Sequence, residues 1–236
     1  MPQADNNKIF AISDLHLPGS KQKTMDLFGL NWEGHFDKIK SDWYSKVSEN
    51  DIVLLPGDIS WAMTLDEAMP DILSIGELPG NKVLLRGNHD YWWSSISRLR
   101  EALPTKMFAV QNDAIKINDT IICGTRGWAN TEGEESPSDK KIYEREIKRL
   151  MLSLENAKDI QKKEKVVAMM HYPPLDLEGN DSPFTELFEK FNVSAVVYGH
   201  LHGAAKYSAF NGVKNGVLYR LVSCDALNFC LSKIDI

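Results

Sequence analysis

The chain has too few cysteines for a disulfide framework or a cysteine-based zinc site. Its three cysteines are irregularly spaced along the 236 residues, at Cys123, Cys224 and Cys230. A zinc knuckle needs closely spaced metal ligands, and a disulfide framework needs a denser and even-numbered set. We therefore expect reduced, partly buried thiols at all three positions.

The sequence also lacks a long apolar run and a secretory leader. No stretch approaches the roughly 20 apolar residues of a membrane-spanning helix. Residues 1–7 show no positive region followed by an apolar one. We therefore expect a cytoplasmic protein with no membrane partner. Because linkers and repeats are absent from the sequence as well, we expect a single domain over residues 1–236.

Excess positive charge is missing too. The formal net charge is -6 at pH 7, which argues against a basic surface that clamps a nucleic-acid backbone. Hydrophobic residues make up 43% of the chain and charged residues 25%. These are ordinary values for a globular protein, so bulk composition favours no function class.

Five apolar, strand-like runs in the chain end in polar residues. They are residues 9–12, 52–55, 82–85, 166–170 and 193–198. Ligands of open α/β sheets bind outside the carboxyl ends of the strands, so such ends predict a site. Five of the six histidines lie there, and only His35 lies elsewhere. The candidate site residues are Asp14, His16, Asp58, Asn88, His89, His171, His200 and His202.

These residue types predict a pair of metal ions. Asp14 and His16 lie two apart, so both side chains of an extended segment point to one face, and His200 and His202 repeat this spacing. Mixed carboxylates and imidazoles suit transition metals better than calcium or magnesium. Eight groups exceed the need of one ion, and a lone carboxylate such as Asp58 can bridge two.

Each strand end also has a simpler interpretation when it is considered alone. His171 could be a hydrogen-bonded histidine at the start of a loop, Asp58 a turn residue and Asp14 a helix cap. That interpretation must be invoked separately at all five ends, whereas a metal site explains them together. Because His35 lies apart from these ends, we expect the His35→Ala variant to be almost silent for catalysis.

Local patterns predict the elements that carry these ends. Apolar spacing predicts helices over residues 36–47 and 93–103, the second opened by Trp92 and Trp93. Cap sequences predict helices that begin at Thr64, Ser136 and Ser182.

Turn sequences and one proline complete the pattern. We expect Pro70 to bend or break the helix after Thr64. Tight hairpins are expected at Asn118-Asp119, Asn211-Gly212 and Asn215-Gly216, and a polar loop at residues 131–135. Strands and helices alternate in the first half, and directly paired strands follow, so the sequence predicts two sheets.

Taken in order, the motifs resemble those of the calcineurin-like metallophosphoesterases. They are Asp14-x-His16, Gly57-Asp58, Gly87-Asn88-His89-Asp90, His171 and Gly199-His200-x-His202. The resemblance implies an α/β fold, a four-layered α/β/β/α sandwich of two mixed β-sheets flanked by helices. It further implies two metal ions, such as manganese, iron or zinc. The implied ligands are Asp14, His16 and His202 for one ion, Asn88, His171 and His200 for the other, and Asp58 as the bridge.

The same resemblance implies the reaction. A metal-bound hydroxide would attack a phosphate monoester or diester in line, without a covalent phosphoenzyme. His89 would stabilise the transition state or protonate the leaving oxygen, and Asp90 would orient His89. No motif position departs from the family pattern, which argues against the alternative of a metal-binding scaffold protein.

Loops around the metals are expected to select the substrate. The candidates are residues 61–63, 91–93, 126–128 and 175–181. Arg126 is a candidate phosphate clamp alongside Asn88 and His89, although an exposed salt bridge would explain it equally well. Trp92 and Trp93 are expected to pack in the core rather than stack on a nucleobase. A small-molecule or nucleotide phosphate ester is favoured, and a nuclease or a phosphoprotein phosphatase is the alternative.

Overall fold

The described residues form eleven β-strands and five α-helices. The structure is a computed structural model that describes residues 7–19, 25, 29–129, 136–176 and 178–236. Its strands are β1 (Ile9–Ala11), β2 (Ile52–Pro56), β3 (Asn81–Leu85), β4 (Met107–Ala109), β5 (Ala114–Ile117), β6 (Thr120–Thr125), β7 (Lys165–Met170), β8 (Ala195–Tyr198), β9 (Gly212–Lys214), β10 (Val217–Leu221) and β11 (Ser232–Lys233). Its α-helices are α1 (His35–Lys46), α2 (Leu65–Gly76), α3 (Ile96–Ala102), α4 (Pro137–Ile160) and α5 (Pro183–Lys190).

The strands form the two mixed sheets that the sequence predicts. The first has the order β11-β1-β2-β3-β4, in which β11 is antiparallel and the other strands are parallel. The second has the order β5-β6-β7-β8-β10-β9, with antiparallel strands at both edges. The five strands expected to carry the site, β1, β2, β3, β7 and β8, all lie in the parallel parts.

Side-chain alternation along the strands builds the layers. On β2, Ile52 and Leu54 pack between the two sheets with residues of β7 and β8. Val53 and Leu55 point the other way and pack against α1, α2 and α3. The outer face of the second sheet is covered by α4 and α5. The predicted four-layered α/β/β/α sandwich is thereby confirmed.

Most of the predicted helix starts are confirmed by their capping hydrogen bonds. The hydroxyls of Thr64, Ser136 and Ser182 each accept a backbone N–H at the start of α2, α4 and α5. The hairpin at residues 118–119 joins β5 to β6, and Asn215-Gly216 joins β9 to β10. The cysteines are free thiols, with Cys123 and Cys224 buried and Cys230 half-buried.

Two local predictions are wrong, and a third is wrong in part. Helix α2 is not broken at Pro70 but continues to Gly76, because Ile72 and Ile75 beyond the proline pack in the core. Helix α3 begins only at Ile96, after the Ser95 cap. No hairpin forms at residues 211–212, since Asn211 Oδ1 accepts the N–H of Leu221 and Gly212 starts β9.

The loop expected at residues 131–135, and residue 177 in a predicted substrate loop, lie outside the described residues. Among the helices of the described ranges, none combines the length and the apolar character needed to span a bilayer.

Candidate metal centre

The carboxyl ends of both sheets are joined by hydrogen bonds. Ser13 after β1 donates its N–H to the carbonyl of Val222 after β10, at 2.8 Å. His171 after β7 contacts the carbonyl oxygen of Pro56 through Nδ1, at 3.0 Å. The backbone N–H of His200 after β8 donates to the carboxylate of Asp14. The ends of strands from two different sheets therefore meet at one place.

The backbone at four of these positions is held in the left-handed conformation. Asp14, His16, Asp58 and His200 have φ angles of 56°, 46°, 52° and 71°. Such strain persists where the surroundings determine the conformation strongly, and it clusters at functional sites. Here the N–H of Asp14 donates to the backbone carbonyl of Gly57, and that of His16 to the backbone carbonyl of Asp58, each at 3.0 Å. These two bonds fix the segments after β1 and β2 against each other.

Two glycines of the motifs allow the segments to approach this closely. A Cβ at Gly87 would lie 2.8 Å from Cγ of Asp58. A Cβ at Gly199 would lie 2.6 Å from Oδ2 of Asp14. Any larger residue at either position would therefore displace a carboxylate of the site.

All seven predicted ligands converge in space. Carboxylate and imidazole atoms of Asp14, His16 and His202 lie within 4.8 Å of one another, as do those of Asp14, Asp58 and His171. Asn88 Oδ1 lies 2.7 Å from His171 Nε2 and 3.0 Å from His200 Nδ1.

Asp58 lies between two groups of candidate ligands. Its Oδ2 is 3.8 Å from His16 Nε2 on one side and 3.4 Å from His171 Nε2 on the other. The side chain is almost fully buried. This is the position that a bridging carboxylate would need.

The electrostatic environment affects the histidines and carboxylates of the cluster differently. Burial lowers the pKa of His16 to about 3 and that of His200 to about 4, so both rings are neutral at pH 7 and keep a lone pair. Burial also raises the pKa of Asp14. Burial opposes ionisation of Asp58, but the adjacent His171 prevails and holds its pKa below the ordinary value.

His171 is oriented by the fold for ligation through one nitrogen. The carbonyl oxygen of Pro56 can only accept, so Nδ1 donates to it and Nε2 faces Asp58 and Asn88. Burial disfavours its charged form, but the carboxylates of Asp58 and Asp14 raise its pKa to about 9. A proton and a metal ion would therefore compete for Nε2.

The residues present fit a transition-metal pair. Both ring nitrogens of His16 are buried and have no hydrogen-bond partner among the described residues, which native structures rarely tolerate. The donors are imidazole nitrogens and carboxylate or amide oxygens without a thiolate. This set suits transition metals better than calcium or magnesium.

His89 lies beside the ligand cluster rather than within it. Its ring centroid is 4.7 Å from that of Trp61 and 5.8 Å from that of His16. Its backbone N–H donates to Asp58 Oδ1 at 2.8 Å. The side chain is half-buried beside the candidate ligands, while the backbone helps to hold the central carboxylate.

Asp90 forms no hydrogen bond with the ring of His89 among the described residues, and its role of orienting that ring stays a prediction. Its buried carboxylate accepts the backbone N–H groups of Gly87, Asp58 and Ile59 at 2.7 to 2.8 Å. It also accepts the indole N–H of Trp92 at 2.9 Å. Asp90 therefore ties the segments after β2 and β3 together and positions Asp58.

We expect Asp90→Asn to destabilise the protein by about 2 kcal/mol or more. The amide has one acceptor oxygen where the carboxylate has two, so buried N–H groups lose their partner, at about 1 to 3 kcal/mol each. Urea unfolding of this variant and of the exposed control Asp119→Asn measures the effect. An unchanged midpoint for Asp90→Asn would contradict this role.

His35 lies outside the ligand cluster, as predicted, but it supports one segment of it. The ring is buried, with Nε2 at 2.8 Å from the carbonyl oxygen of Leu15 and Nδ1 at 3.1 Å from that of Trp32. Leu15 stands between Asp14 and His16. That His35→Ala is almost silent for catalysis stays a prediction, and these contacts add an expected effect on stability.

We expect His35→Ala to lower the free energy of unfolding by about 1 to 3 kcal/mol, because a buried carbonyl oxygen, of Leu15 or of Trp32, loses the imidazole N–H that it accepts. Thermal unfolding and metal content measured together would test this. A variant with wild-type stability would show that these contacts are unimportant.

The loops around the cluster differ in what they bring to it. The carbonyl oxygen of Arg126 accepts the N–H groups of His171 and Tyr172. Its guanidinium lies 3.9 Å from the carboxylate of Glu146 and over the ring of Trp128. The described contacts thus place this side chain against α4 and not on the ligands. Trp92 and Trp93 are buried in the core, as expected.

Sequence reasoning missed two residues of the centre. The ring of Tyr172 lies 4.1 Å from that of His200, and its place next to His171 was a signal that could have been used. Asp225 accepts the N–H of Gly203, directly after His202, at 2.9 Å. No local sequence pattern predicts this contact of Asp225, because the residue lies 22 positions away from Gly203.

Comparisons with known proteins agree with this geometry. The model of the calcineurin-like phosphoesterase family matches residues 7–204. Among curated proteins, no significant match to the chain is found. The chain is similar in fold to TT1561 of Thermus thermophilus, with a TM-score of 0.56, 15% identity and coverage of 97% of this chain and 98% of that one. It is also similar to AQ665 from Aquifex aeolicus, a protein of unknown function, with a TM-score of 0.50, 16% identity and coverage of 97% and 96%.

Proposed function

The chain belongs to the calcineurin-like phosphoesterase family, and we propose that it hydrolyses phosphate monoesters or diesters at a dinuclear metal centre. The observation that carries the proposal is the arrangement of ligands on both sides of Asp58. His16 Nε2 and His171 Nε2 lie 3.8 and 3.4 Å from the same carboxylate oxygen. Membership of the family supports a hydrolase acting on phosphoester bonds.

The proposed ligand sets divide at Asp58. Asp14, His16 and His202 would hold one ion. Asn88, His171 and His200, which meet at Asn88 Oδ1, would hold the other. Two bound transition-metal ions supply a water of lowered pKa and neutralise the charge of the phosphate oxygens.

His89 is the proposed acid of the reaction. A nitrogen of its ring would protonate the oxygen of the leaving group, or donate a hydrogen bond to the phosphate as its charge develops. The ring of Trp61 covers both His89 and His16. This contact limits the orientations that the ring of His89 can take.

A small-molecule or nucleotide ester is the proposed substrate class. Tyr91 is 55% exposed, and its ring centroid lies 6.4 Å from that of His89. An exposed aromatic ring at this distance could stack on a nucleobase. Trp92 and Trp93 are too deeply buried for that role.

The decisive experiment combines metal uptake with hydrolysis. Metal-free protein is loaded with manganese, iron or zinc in turn, and bound metal is measured by elemental analysis. Each preparation is assayed with an aryl phosphodiester, an aryl monophosphate, a cyclic nucleotide and single-stranded DNA. We expect two ions per chain and hydrolysis of at least one small ester. Stoichiometric uptake without hydrolysis would favour the scaffold alternative, and the absence of uptake would refute the proposed centre.

A further inference from the structure

A cavity next to the metal centre collects most of the arginines of this acidic chain. Only seven arginines occur among the 236 residues, and the net charge is -6. Four of them, Arg86, Arg126, Arg145 and Arg149, line one cavity of about 190 Å³. That volume is more than ten times the roughly 10 to 15 Å³ that admits one water. So dense a cluster of guanidinium groups attracts an anion.

The charges of the cavity are not balanced within the described residues. Glu146 is the one carboxylate in the lining. Its oxygens accept from Arg149 at 2.7 Å and from the hydroxyl of Thr125 at 2.6 Å, and Arg126 lies 3.9 Å away. One carboxylate thus faces four guanidinium groups.

Arg86 and Arg145 carry the surplus charge. Neither forms an ion pair with a carboxylate in the described ranges, and Nε of Arg86 is buried without a hydrogen-bond partner there. A buried donor that lacks an acceptor marks a place where a ligand would be stabilised. Burial lowers the pKa of Arg126, and Arg86 and Arg149 lower it further against the opposing effect of Glu146.

The cavity adjoins the side of the centre formed by Asn88, His171 and His200. Arg86 precedes Asn88 by two residues, at most about 7 Å along the chain. The carbonyl oxygen of Arg126 accepts the N–H of His171 at 3.1 Å. Arg86 and Arg126 therefore lie on the short segments after β3 and β6 that also hold Asn88 and contact His171, while Arg145 and Arg149 reach the cavity from α4.

We propose that the arginine cavity binds a second phosphate group of the substrate, so that the preferred substrates carry two phosphates. The inference rests on the proposed function for the phosphate that is cleaved. Phosphate binding by the cavity is argued from its lining residues alone and does not depend on hydrolysis. Guanidinium groups suit this role because they donate paired hydrogen bonds to phosphate oxygens.

Binding to metal-free protein tests the cavity independently of catalysis. Inorganic phosphate is titrated by calorimetry, in the presence of a chelator, into wild-type protein and into Arg86→Gln and Arg145→Gln. Arg145 is exposed on α4, so its variant should fold even if Arg86→Gln does not. The matched control is Arg220→Gln, an exposed arginine of β10 that is not part of the lining.

We expect saturable binding to the wild type, about tenfold or more weakening in the two cavity variants, and no change in the control. Equal binding by all four proteins, or no binding by the wild type, would overturn the proposal.

A second measurement tests whether the phosphate bound in the cavity is part of the substrate. Adenosine 3′,5′-bisphosphate and adenosine 5′-monophosphate are compared by kcat/KM with metal-loaded protein, and by Kd with metal-free protein. The preference for the bisphosphate should fall about tenfold in Arg145→Gln and persist in Arg220→Gln. If the preference is unaffected while phosphate binding is lost, the cavity holds free phosphate and the proposal is wrong. If no ester is hydrolysed, the proposed function fails and the Kd comparison still decides on the cavity.

Discussion

Asp58→Asn is expected to abolish hydrolysis and to reduce the bound metal below two ions per chain. The Asp58 carboxylate lies between the imidazoles of His16 and His171, and an amide supplies neither its charge nor its second acceptor oxygen. Residues that only support a ligand already change metal affinity or activity by about 10 to 100-fold. We therefore expect a loss of more than about 100-fold in kcat/KM for a residue between both ligand sets.

Elemental analysis and the aryl phosphate assay measure this effect on the same preparation. Circular dichroism shows whether the variant is folded. Asp66→Asn, on the first turn of α2, is the matched control and should keep both metal content and turnover. Wild-type turnover by Asp58→Asn with a full complement of metal would contradict the bridging position.

The strand ends of the site could be predicted because they obey a local rule. An apolar run buried on both faces must end where the sheet ends, and the residues after it are polar by necessity or by function. The five runs ending before Asp14, Asp58, Asn88, His171 and His200 can be recognised in the sequence by this rule. Parallel pairing aligns their carboxyl ends within each sheet, and hydrogen bonds such as that between His171 and Pro56 bring the two edges together.

The supporting contacts of the site could not be predicted in the same way. Asp90 and His89 are neighbours in sequence, which suggests a direct contact, yet the partners of Asp90 include the N–H groups of Asp58 and Ile59, more than 30 residues away. His35 reaches the carbonyl of Leu15 across 20 residues. Such contacts depend on how loops pack, and no periodicity of the chain encodes that packing.

Helix boundaries show a related limit. Trp92 and Trp93 fit a helical stripe, so the pattern extends α3 toward them. The indole of Trp92 instead bonds to Asp90, and that of Trp93 bonds to Gln111. These tertiary bonds hold the segment outside the helix, and α3 begins at the cap that Ser95 provides.

His89→Ala is expected to abolish turnover while leaving the metal content nearly intact. The ring of His89 packs on Trp61 beside the ligand cluster, and the cluster is complete without it. His89 donates its backbone N–H to the carboxylate of Asp58, and alanine at this position retains that donor. Positioned acid-base groups typically contribute about 10² to 10⁴-fold to the rate, so we expect a loss of kcat in that range.

The matched comparison for this prediction is His171→Ala, which removes a histidine from the ligand cluster itself. That variant should lose metal and turnover together, because Nε2 of His171 faces both Asp58 and Asn88. The two variants thus separate a group that acts on the substrate from a group that holds an ion. If His89→Ala lost both ions as His171→Ala is expected to do, His89 would be part of the metal site, and the leaving oxygen would need another proton donor.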